Sequence, residues 1–143
     1  MNRITVLLAE DHALVRECFR NMIEVEADLE LVGEPKDGHE AVAMAKELHP
    51  AVVVMDVAMP LLNGVQAMWQ ILQAVPTTKV LMLSAYDDES YVQESVKSGA
   101  MGFLIKQASF GSLCHAIREL HQGNTFFSPS IPNHLRQPNG KGG

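Results

Sequence analysis

The chain has 143 residues, a formal net charge of −6, and a composition that is 47% hydrophobic and 20% charged. This length lets one compact domain bury a core without disulfides or a structural metal. The acidic balance offers no clustered basic face for a nucleic-acid backbone, so we expect no nucleic-acid binding by this segment alone. No apolar run approaches the ~18 residues of a membrane span. Residues 1–8 form no export signal, so we expect a cytoplasmic protein without a membrane anchor.

Five short apolar runs predict β-strands, because they are too short to be buried helices. The runs are Ile4–Ala9, Leu29–Glu34, Ala51–Met55, Val80–Leu83 and Phe103–Ile105. The second run mixes charged with apolar residues, which is typical of a strand at the edge of a sheet. The others indicate strands that are buried on both faces.

Helical periodicity follows each of these runs. The residues that we expect on the buried faces of the five helices are Leu14, Cys18, Met22 and Val25; Ala41, Met44, Ala45 and Leu48; Val65, Met68, Trp69 and Leu72; Val92, Val96 and Gly99; and Leu113, Ala116, Ile117 and Leu120. Asp37, Asp87 and Ser109 stand where helix N-caps belong. The two cysteines, Cys18 and Cys114, are expected to be buried free thiols.

Strict alternation of strands and helices predicts a parallel sheet with helices on both faces, because β-α-β crossovers are right-handed. With the second strand at an edge, we expect a flavodoxin-like, doubly wound α/β fold. Its sheet would have five strands in the order 2-1-3-4-5, accompanied by five helices. We assign residues 1–125 to this domain. Residues 126–143 are rich in proline, glycine and polar residues, so we expect a flexible linker or tail.

Polar residues directly follow four of these strands, at the edge of the sheet where ligands bind in this topology. Glu10 and Asp11 follow the first strand, Asp56 the third, Ser84 the fourth and Lys106 the fifth. Clustered acids repel one another, and a hard divalent cation would neutralise them. Mg²⁺ is the ion we expect, because it prefers oxygen ligands and is commonly bound by carboxylates together with a phosphate group.

The same residues lie in motifs that resemble the receiver domains of two-component response regulators. The motifs are Glu10-Asp11, D-x-x-M-P-x-x-N-G at 56–64, Leu83-Ser84-Ala85 and Gly102-Phe103-Leu104-Ile105-Lys106. The resemblance extends from residue 4 to about residue 127. Residues 99–104 and 113–118 are most similar to the NarL/LuxR-type transcriptional regulators.

The resemblance implies that Asp56 attacks the phosphoryl group of a phosphohistidine on a sensor histidine kinase and becomes an aspartyl phosphate. Asp11 and Asp56, with the backbone carbonyl of Ala58, would hold Mg²⁺. Glu10 stands where this subfamily more often has aspartate, and our hypothesis is that it acts mainly through a metal-bound water.

Ser84 and Lys106 would bind the remaining phosphoryl oxygens. Phe103 would be a switch aromatic that turns inward when Ser84 is drawn toward the phosphoryl group. The face made by the fourth helix, fifth strand and fifth helix would then change. Such a domain would catalyse only its own phosphorylation and dephosphorylation, so we do not expect an enzyme that acts on a separate substrate. The family implies a homodimer as one outcome of phosphorylation, and transcriptional output through a DNA-binding domain outside this chain.

Two further features of the sequence concern the expected metal and phosphorylation site. Pro60 and Gly64 fit a sharp turn beside the metal, with the glycine permitting unusual backbone angles. Tyr86 lies two residues beyond Ser84, and we expect its bulk to slow self-dephosphorylation.

Three alternatives stay open: a Mg²⁺-dependent phosphatase, a flavodoxin-like cofactor binder, and a degenerate receiver that acts as an interaction module. A phosphatase of the haloacid-dehalogenase type would carry a D-x-D pair and a cap insertion, and a cofactor binder would carry a phosphate-binding loop. Neither signature is evident in the sequence. The degenerate receiver is compatible with Glu10, although Asp56, Ser84 and Lys106 argue against it.

Overall fold

A computed structural model of the chain describes residues 2–85 and 88–136. Within them, parallel strands form one sheet in the order β2-β1-β3-β4-β5-β6. The strands are β1 Ile4–Ala9, β2 Leu29–Gly33, β3 Val52–Asp56, β4 Lys79–Ser84, β5 Gly102–Ile105 and β6 Phe126–Phe127. The helices are α1 Ala13–Glu24, α2 Gly38–Leu48, α3 Gly64–Ala74, α4 Glu89–Lys97 and α5 Leu113–His121. The predicted fold is confirmed with β2 at an edge, but the expected count of five strands is wrong, because β6 adds a sixth.

Each face of the sheet carries its own apolar cluster. One cluster lies under α2, α3 and α4 and includes Met68 and Phe103. The other lies under α1 and α5 and includes Phe19 and Ile117. The central strand β3 is buried along its whole length, so Asp56 stands at the end of the most enclosed strand of the domain.

The buried face of α1 differs from the predicted one. Phe19 and Ile23 are fully buried, whereas Leu14 is 65% exposed and Val25 is 78% exposed. Cys18 is also exposed, so the prediction of a buried thiol is wrong there. The helix has apolar residues on two adjacent faces, and the face with the larger Phe19 and Ile23 removes more apolar area from water.

The prediction that Trp69 is a core residue is also wrong, because its side chain is 53% exposed. The neighbouring Met68 is fully buried and lies on the face of α3 that packs against the sheet. Trp69 instead lines a groove between α3 and α4, together with Gln66 and Glu94. Adjacent positions on a helix point about 100° apart, so Met68 and Trp69 cannot both face the sheet. Met68 packs against the sheet, and the ring of Trp69 is exposed.

The predicted face of α5 is confirmed, and so is that of α4 except for Gly99, which is exposed and lies beyond the end of the helix. The buried residues include Val92 and Val96 on α4, and Leu113, Ala116, Ile117 and Leu120 on α5. No helix in the described part of the chain is both long enough and apolar enough to span a bilayer.

The helix N-caps agree only partly with the sequence prediction. Asp37 caps α2, because its carboxylate accepts a hydrogen bond from a backbone N–H of the first turn. Asp87 lies outside the described residues, and Asp88 caps α4. Ser109 does not cap α5 with its side chain. Its hydroxyl donates to the carbonyl of Lys106 in a short 3-10 turn before the helix.

Residues 126–136, which the sequence assigned to a flexible tail, pack against the domain, and we call them the strap. β6 extends the sheet beside β5. Beyond it, Ile131 is 1% exposed, and Leu135 is 7% exposed in the 3-10 turn Asn133–Leu135. These apolar residues show neither a helical nor a strand period, so the sequence carries no signal for their burial. Residues 137–143 lie outside the described residues.

The substitution Ile131→Ala tests whether the strap is part of the core. We expect it to lower the free energy of unfolding by about 2–4 kcal/mol, because it removes buried apolar atoms and leaves a cavity. Leu14→Ala is the control, since Leu14 is 65% exposed, and we expect a change within about 0.5 kcal/mol. Urea denaturation measures both. Equal unfolding midpoints for the two variants would contradict the packing of the strap.

Candidate functional site

The carboxyl ends of β1, β3, β4 and β5 bring the predicted site residues to one edge of the sheet. Asp56 and Ser84 are the last residues of two neighbouring strands, β3 and β4. Lys106 directly follows β5, the next strand along. Glu10 and Asp11 directly follow β1, the other neighbour of β3.

Three carboxylates lie close together at this edge. Glu10, Asp11 and Asp56 each contribute a carboxylate oxygen, and these oxygens lie within 4.8 Å of one another. Glu10 and Asp56 are buried, whereas Asp11 is exposed. Negative charges at this spacing repel one another, most strongly where water is excluded, so the cluster requires positive charge nearby.

Lys106 supplies part of that charge. Its Nζ lies 2.8 Å from Oδ2 of Asp56, and 3.0 Å and 3.1 Å from the two carboxylate oxygens of Glu10. Burial alone would lower the pKa of Lys106, but the hydrogen bonds and charges of Asp56 and Glu10 outweigh burial, and the pKa is raised. The ammonium therefore stays charged and joins the two buried carboxylates.

Glu10 is fully buried beside this ammonium. Burial raises its pKa, and the negative charge of Asp56 adds to the rise, while Lys106 opposes it. Oε2 accepts hydrogen bonds from Lys106 and from the backbone N–H of His12. Oε1 is also buried, and the Lys106 ammonium lies 3.0 Å from it, but no donor among the described residues is aligned to hydrogen-bond it. A buried oxygen without an aligned hydrogen-bond donor is incompletely satisfied, and a cation could complete its coordination.

This set of donors fits a hard divalent cation. The three carboxylates carry two more negative charges than the single ammonium can balance. All of their donor atoms are oxygens, and the exposed Asp11 leaves room for the waters that Mg²⁺ usually retains. Ala58 is exposed beside them, and its backbone N–H donates to Oδ1 of Asp56 at 3.0 Å. The residues that could hold Mg²⁺ are therefore Glu10, Asp11, Asp56 and the backbone of Ala58.

Gly64 keeps the loop after β3 close to Asp56. A Cβ atom on Gly64 would lie 2.2 Å from the carbonyl oxygen of Asp56, so no other residue fits without a shift of the backbone. Its N–H donates to the carbonyl of Val57 at 2.8 Å. The prediction of unusual backbone angles at Gly64 is wrong. The left-handed conformation falls on Leu61, with φ of 68°, and Gly64 is needed for its lack of a side chain.

Arg16 is a positioning residue that the sequence analysis missed. Its Nη1 donates to the backbone carbonyl of Glu10 at 2.9 Å, and its Nε lies 3.8 Å from the carboxylate of Glu34. The guanidinium thus ties the turn that carries the first two acids to the end of β2. An arginine on a helix is most often solvated, so its sequence position alone gave no signal.

Ser84 and Phe103 both lie in the interior. Ser84 is 4% exposed at the end of β4, and Phe103 is fully buried on β5. The ring of Phe103 belongs to the cluster that includes Val96 of α4 and Ile131 of the strap. Tyr86, which we expect to slow self-dephosphorylation, lies outside the described residues.

The family assignment follows from the sequence as a whole. Residues 6–118 match the family model described as "Response regulator receiver domain". The chain belongs to this family. It is 37% identical over 134 residues to the transcriptional regulatory protein DegU of Brevibacillus brevis, covering 94% of this chain and 57% of that protein. It is 41% identical over 126 residues to the uncharacterized transcriptional regulatory protein YxjL of Bacillus subtilis. This match covers 88% of the chain and 58% of that protein.

Solved structures agree with this assignment. A two-component response regulator of the LuxR family from Aurantimonas sp. is similar with a TM-score of 0.86 at 28% identity, covering 91% of this chain and 93% of that one. The signal receiver domain of the putative response regulator NarL from Mycobacterium tuberculosis is similar with a TM-score of 0.82 at 28% identity. The match covers 87% of this chain and 100% of that one. The chain is therefore a receiver domain of the NarL/LuxR type. It spans a little over half the length of the curated relatives described above.

The substitution Lys106→Met tests how far the receiver domain relies on this ammonium. We expect it to lower the free energy of unfolding by about 1–3 kcal/mol, because two buried carboxylates lose their cation. The loss stays below the roughly 3–5 kcal/mol of a fully buried pair, since the lysine side chain is 17% exposed. Urea denaturation at neutral pH with a chelator measures it.

Asp56→Asn is the matched control for this experiment. It removes the repulsion between Asp56 and Glu10 but leaves Lys106 paired with Glu10, so we expect a smaller loss or a gain. A Lys106→Met variant that is as stable as the Asp56→Asn variant would contradict the dependence on the ammonium.

Proposed function

We propose that this receiver domain accepts a phosphoryl group on Asp56 from a sensor histidine kinase, in a reaction that requires Mg²⁺. The observation that carries the proposal is the environment of the Asp56 carboxylate. It stands at the end of the central strand, 2.8 Å from the ammonium of Lys106 and within 4.8 Å of two further carboxylates. An excess of negative charge around one lysine suits a site that binds a metal ion and a phosphoryl group together.

Asp56, Lys106 and Ser84 have different roles in the proposed phosphoryl transfer. A carboxylate oxygen of Asp56 forms a bond to phosphorus, while the bond from phosphorus to the kinase histidine breaks and the histidine nitrogen keeps the electron pair. The ammonium of Lys106 pairs with a phosphoryl oxygen and stabilises the charge that develops there. The hydroxyl of Ser84 donates a hydrogen bond to another phosphoryl oxygen. When bound, Mg²⁺ supplies further neutralisation of the phosphoryl oxygens.

We propose that the two acids after β1 hold the metal in different ways. Asp11 is exposed, and we assign it to direct ligation together with Asp56 and the carbonyl of Ala58. Oε2 of Glu10 accepts hydrogen bonds from Lys106 and a backbone N–H, and Oε1 lies 3.0 Å from the same ammonium without an aligned hydrogen bond, so we assign Oε1 to act mainly through a metal-bound water. The burial of Glu10 supports this division of roles.

Mg²⁺ titration of Asp11→Asn and Glu10→Gln by calorimetry tests the division. Both changes remove one charge and keep the shape of the side chain. We expect Asp11→Asn to weaken binding by about 100-fold or more, the upper end of such effects, because a direct ligand loses its negative charge. We expect Glu10→Gln to weaken it by about tenfold, as is typical of a residue that acts on a metal through a ligand. Equal losses in the two variants would contradict it.

We further propose a switch and an output. Phe103 and Ser84 lie on neighbouring strands, so a movement of Ser84 toward the phosphoryl group would change the face made by α4, β5 and α5. In the whole protein, residues 1–125 would act as the receiver, and the segment from residue 126 would lead to the output. That output would be transcriptional control in the cytoplasm, through a DNA-binding domain outside this chain and a homodimer formed on phosphorylation. The relatives named as transcriptional regulatory proteins support this.

Incubation with acetyl phosphate and Mg²⁺ tests the central proposal. We expect labelling that approaches about one phosphoryl group per chain and is released by hydroxylamine, as an acyl phosphate requires. Asp56→Asn should abolish the labelling. Asp88→Asn is the control, because Asp88 is an exposed acid at the start of α4, and it should keep the wild-type label.

Other outcomes would identify the alternatives. Continued phosphate release far beyond one equivalent would indicate a phosphatase, and the absence of a label on the wild type would indicate an interaction module. Labelling that survives removal of divalent ions by a chelator would contradict the Mg²⁺ requirement.

A further inference from the structure

The strap lies on the two elements that border the phosphoryl-binding side of the site. β6 runs beside β5, the strand that leads into Lys106. The 3-10 turn Asn133–Leu135 packs against α4, the helix that follows β4 and Ser84. A Cβ atom on Gly102 would lie 2.6 Å from the carbonyl oxygen of Phe126, so the close approach of β6 depends on a glycine in β5. The strap is therefore fitted to this edge of the sheet.

Ser128 joins the strap to β5 through two hydrogen bonds. Its backbone N–H donates to the carbonyl of Phe103 at 3.0 Å, and its Oγ accepts from the N–H of Ile105 at 2.9 Å. The hydroxyl takes the place that a strand carbonyl would occupy if the parallel ladder continued. Ser128 is 2% exposed, so water cannot readily replace it. The N–H that it holds immediately precedes Lys106, whose ammonium reaches Asp56.

Arg136 closes the strap on itself. Its Nε donates to the carbonyl of Ile131 at 2.9 Å, and its Nη2 donates to the carbonyl of Ser128 at 3.2 Å. The same carbonyl of Ser128 accepts from the N–H of Ile131 at 3.0 Å. These bonds tie residues 128–136 together as one compact unit.

The apolar contacts of the strap include the proposed switch residue. Phe127, Ile131 and Leu135 belong to one buried cluster with Phe103 and with Val96 of α4. Packing in such a cluster is close to that of a crystal, so Phe103 or α4 cannot move without repacking the strap. The strap therefore contacts both the backbone that carries Lys106 and the side chain that is expected to switch.

We propose that docking of the strap and phosphorylation of Asp56 are coupled, with Ser128 as the positioning residue. The docked strap holds the backbone at Ile105 so that Lys106 reaches Asp56. Phosphorylation in turn strengthens docking, because coupling between two equilibria is reciprocal. The strap thereby passes the state of the site to the chain that follows it. This inference rests on the proposed phosphorylation of Asp56.

Ser128→Ala tests whether docking of the strap affects phosphorylation of Asp56. We expect phosphorylation by acetyl phosphate to slow by at least about fivefold, the lower end of typical coupling between sites. The affinity for Mg²⁺ should not fall, because a looser Lys106 competes less with the metal for the carboxylates of Asp56 and Glu10. Ser128→Thr keeps the hydroxyl and should recover most of the rate. Ser112→Ala is the matched control, since its hydroxyl donates to the carbonyl of Ala108, and it should react as the wild type does.

Hydrogen exchange of the wild type tests whether loading of the phosphorylation site affects docking of the strap. Beryllofluoride with Mg²⁺ is the probe, because it imitates a phosphoryl group on a carboxylate. The amides of Ser128 and Ile131 donate within the docked strap, and we expect their exchange to slow by at least about fivefold on loading. This measurement needs no variant, so it holds even if Ser128→Ala fails to fold.

The outcomes separate the coupling from the proposed function. If the wild type is labelled on Asp56 but Ser128→Ala reacts at the same rate, or the strap amides do not respond, the coupling is wrong and the proposed function stands. A parallel loss of Mg²⁺ affinity and rate in Ser128→Ala, without recovery in Ser128→Thr, would show a general structural defect and would also overturn the coupling. If the wild type takes no label, the proposed function fails and the coupling fails with it.

Discussion

The ammonium of Lys106 between the carboxylates of Glu10 and Asp56 is the interaction on which the site depends. It joins residues that are 96 and 50 positions apart in the chain, and so links the ends of β1, β3 and β5. The pairing is incomplete, because one ammonium faces three carboxylates when the exposed Asp11 is counted. This shortage of positive charge in the folded protein is what supports the proposal that the site binds a metal ion together with a phosphoryl group.

The rest of the fold maintains this geometry. Burial of β3 on both faces makes the position of Asp56 rigid, and Gly64 lets the following loop return to within contact of its carbonyl. Arg16 holds the turn after β1 from the side of the helix, and Ser128 holds the end of β5 from the side of the strap. The strap continues the sheet past β5 and packs into the same apolar cluster as Phe103.

Much of the architecture could be predicted from the sequence, because its signals are local and repeated. Alternating apolar runs and helical periods predicted five of the strands, all five helices and the edge position of β2. Once that order is known, the residues that follow parallel strands must meet at one edge. The prediction that Asp56, Ser84, Lys106 and the two acids after β1 come together therefore followed from their positions along the chain.

What the sequence by itself determined was the alternation of elements and the residues at the strand ends, and the tertiary structure decided which surfaces and partners those elements have. Helical periodicity could not choose between two adjacent apolar faces, so Phe19 is buried on α1 while Leu14 is exposed. A strand of two residues has no period, so β6 and the burial of Ile131 appear only when an edge is present to receive them. The pairing of Glu10 with Lys106 likewise has no local signature, because long-range electrostatics depends on distances that only the folded chain creates.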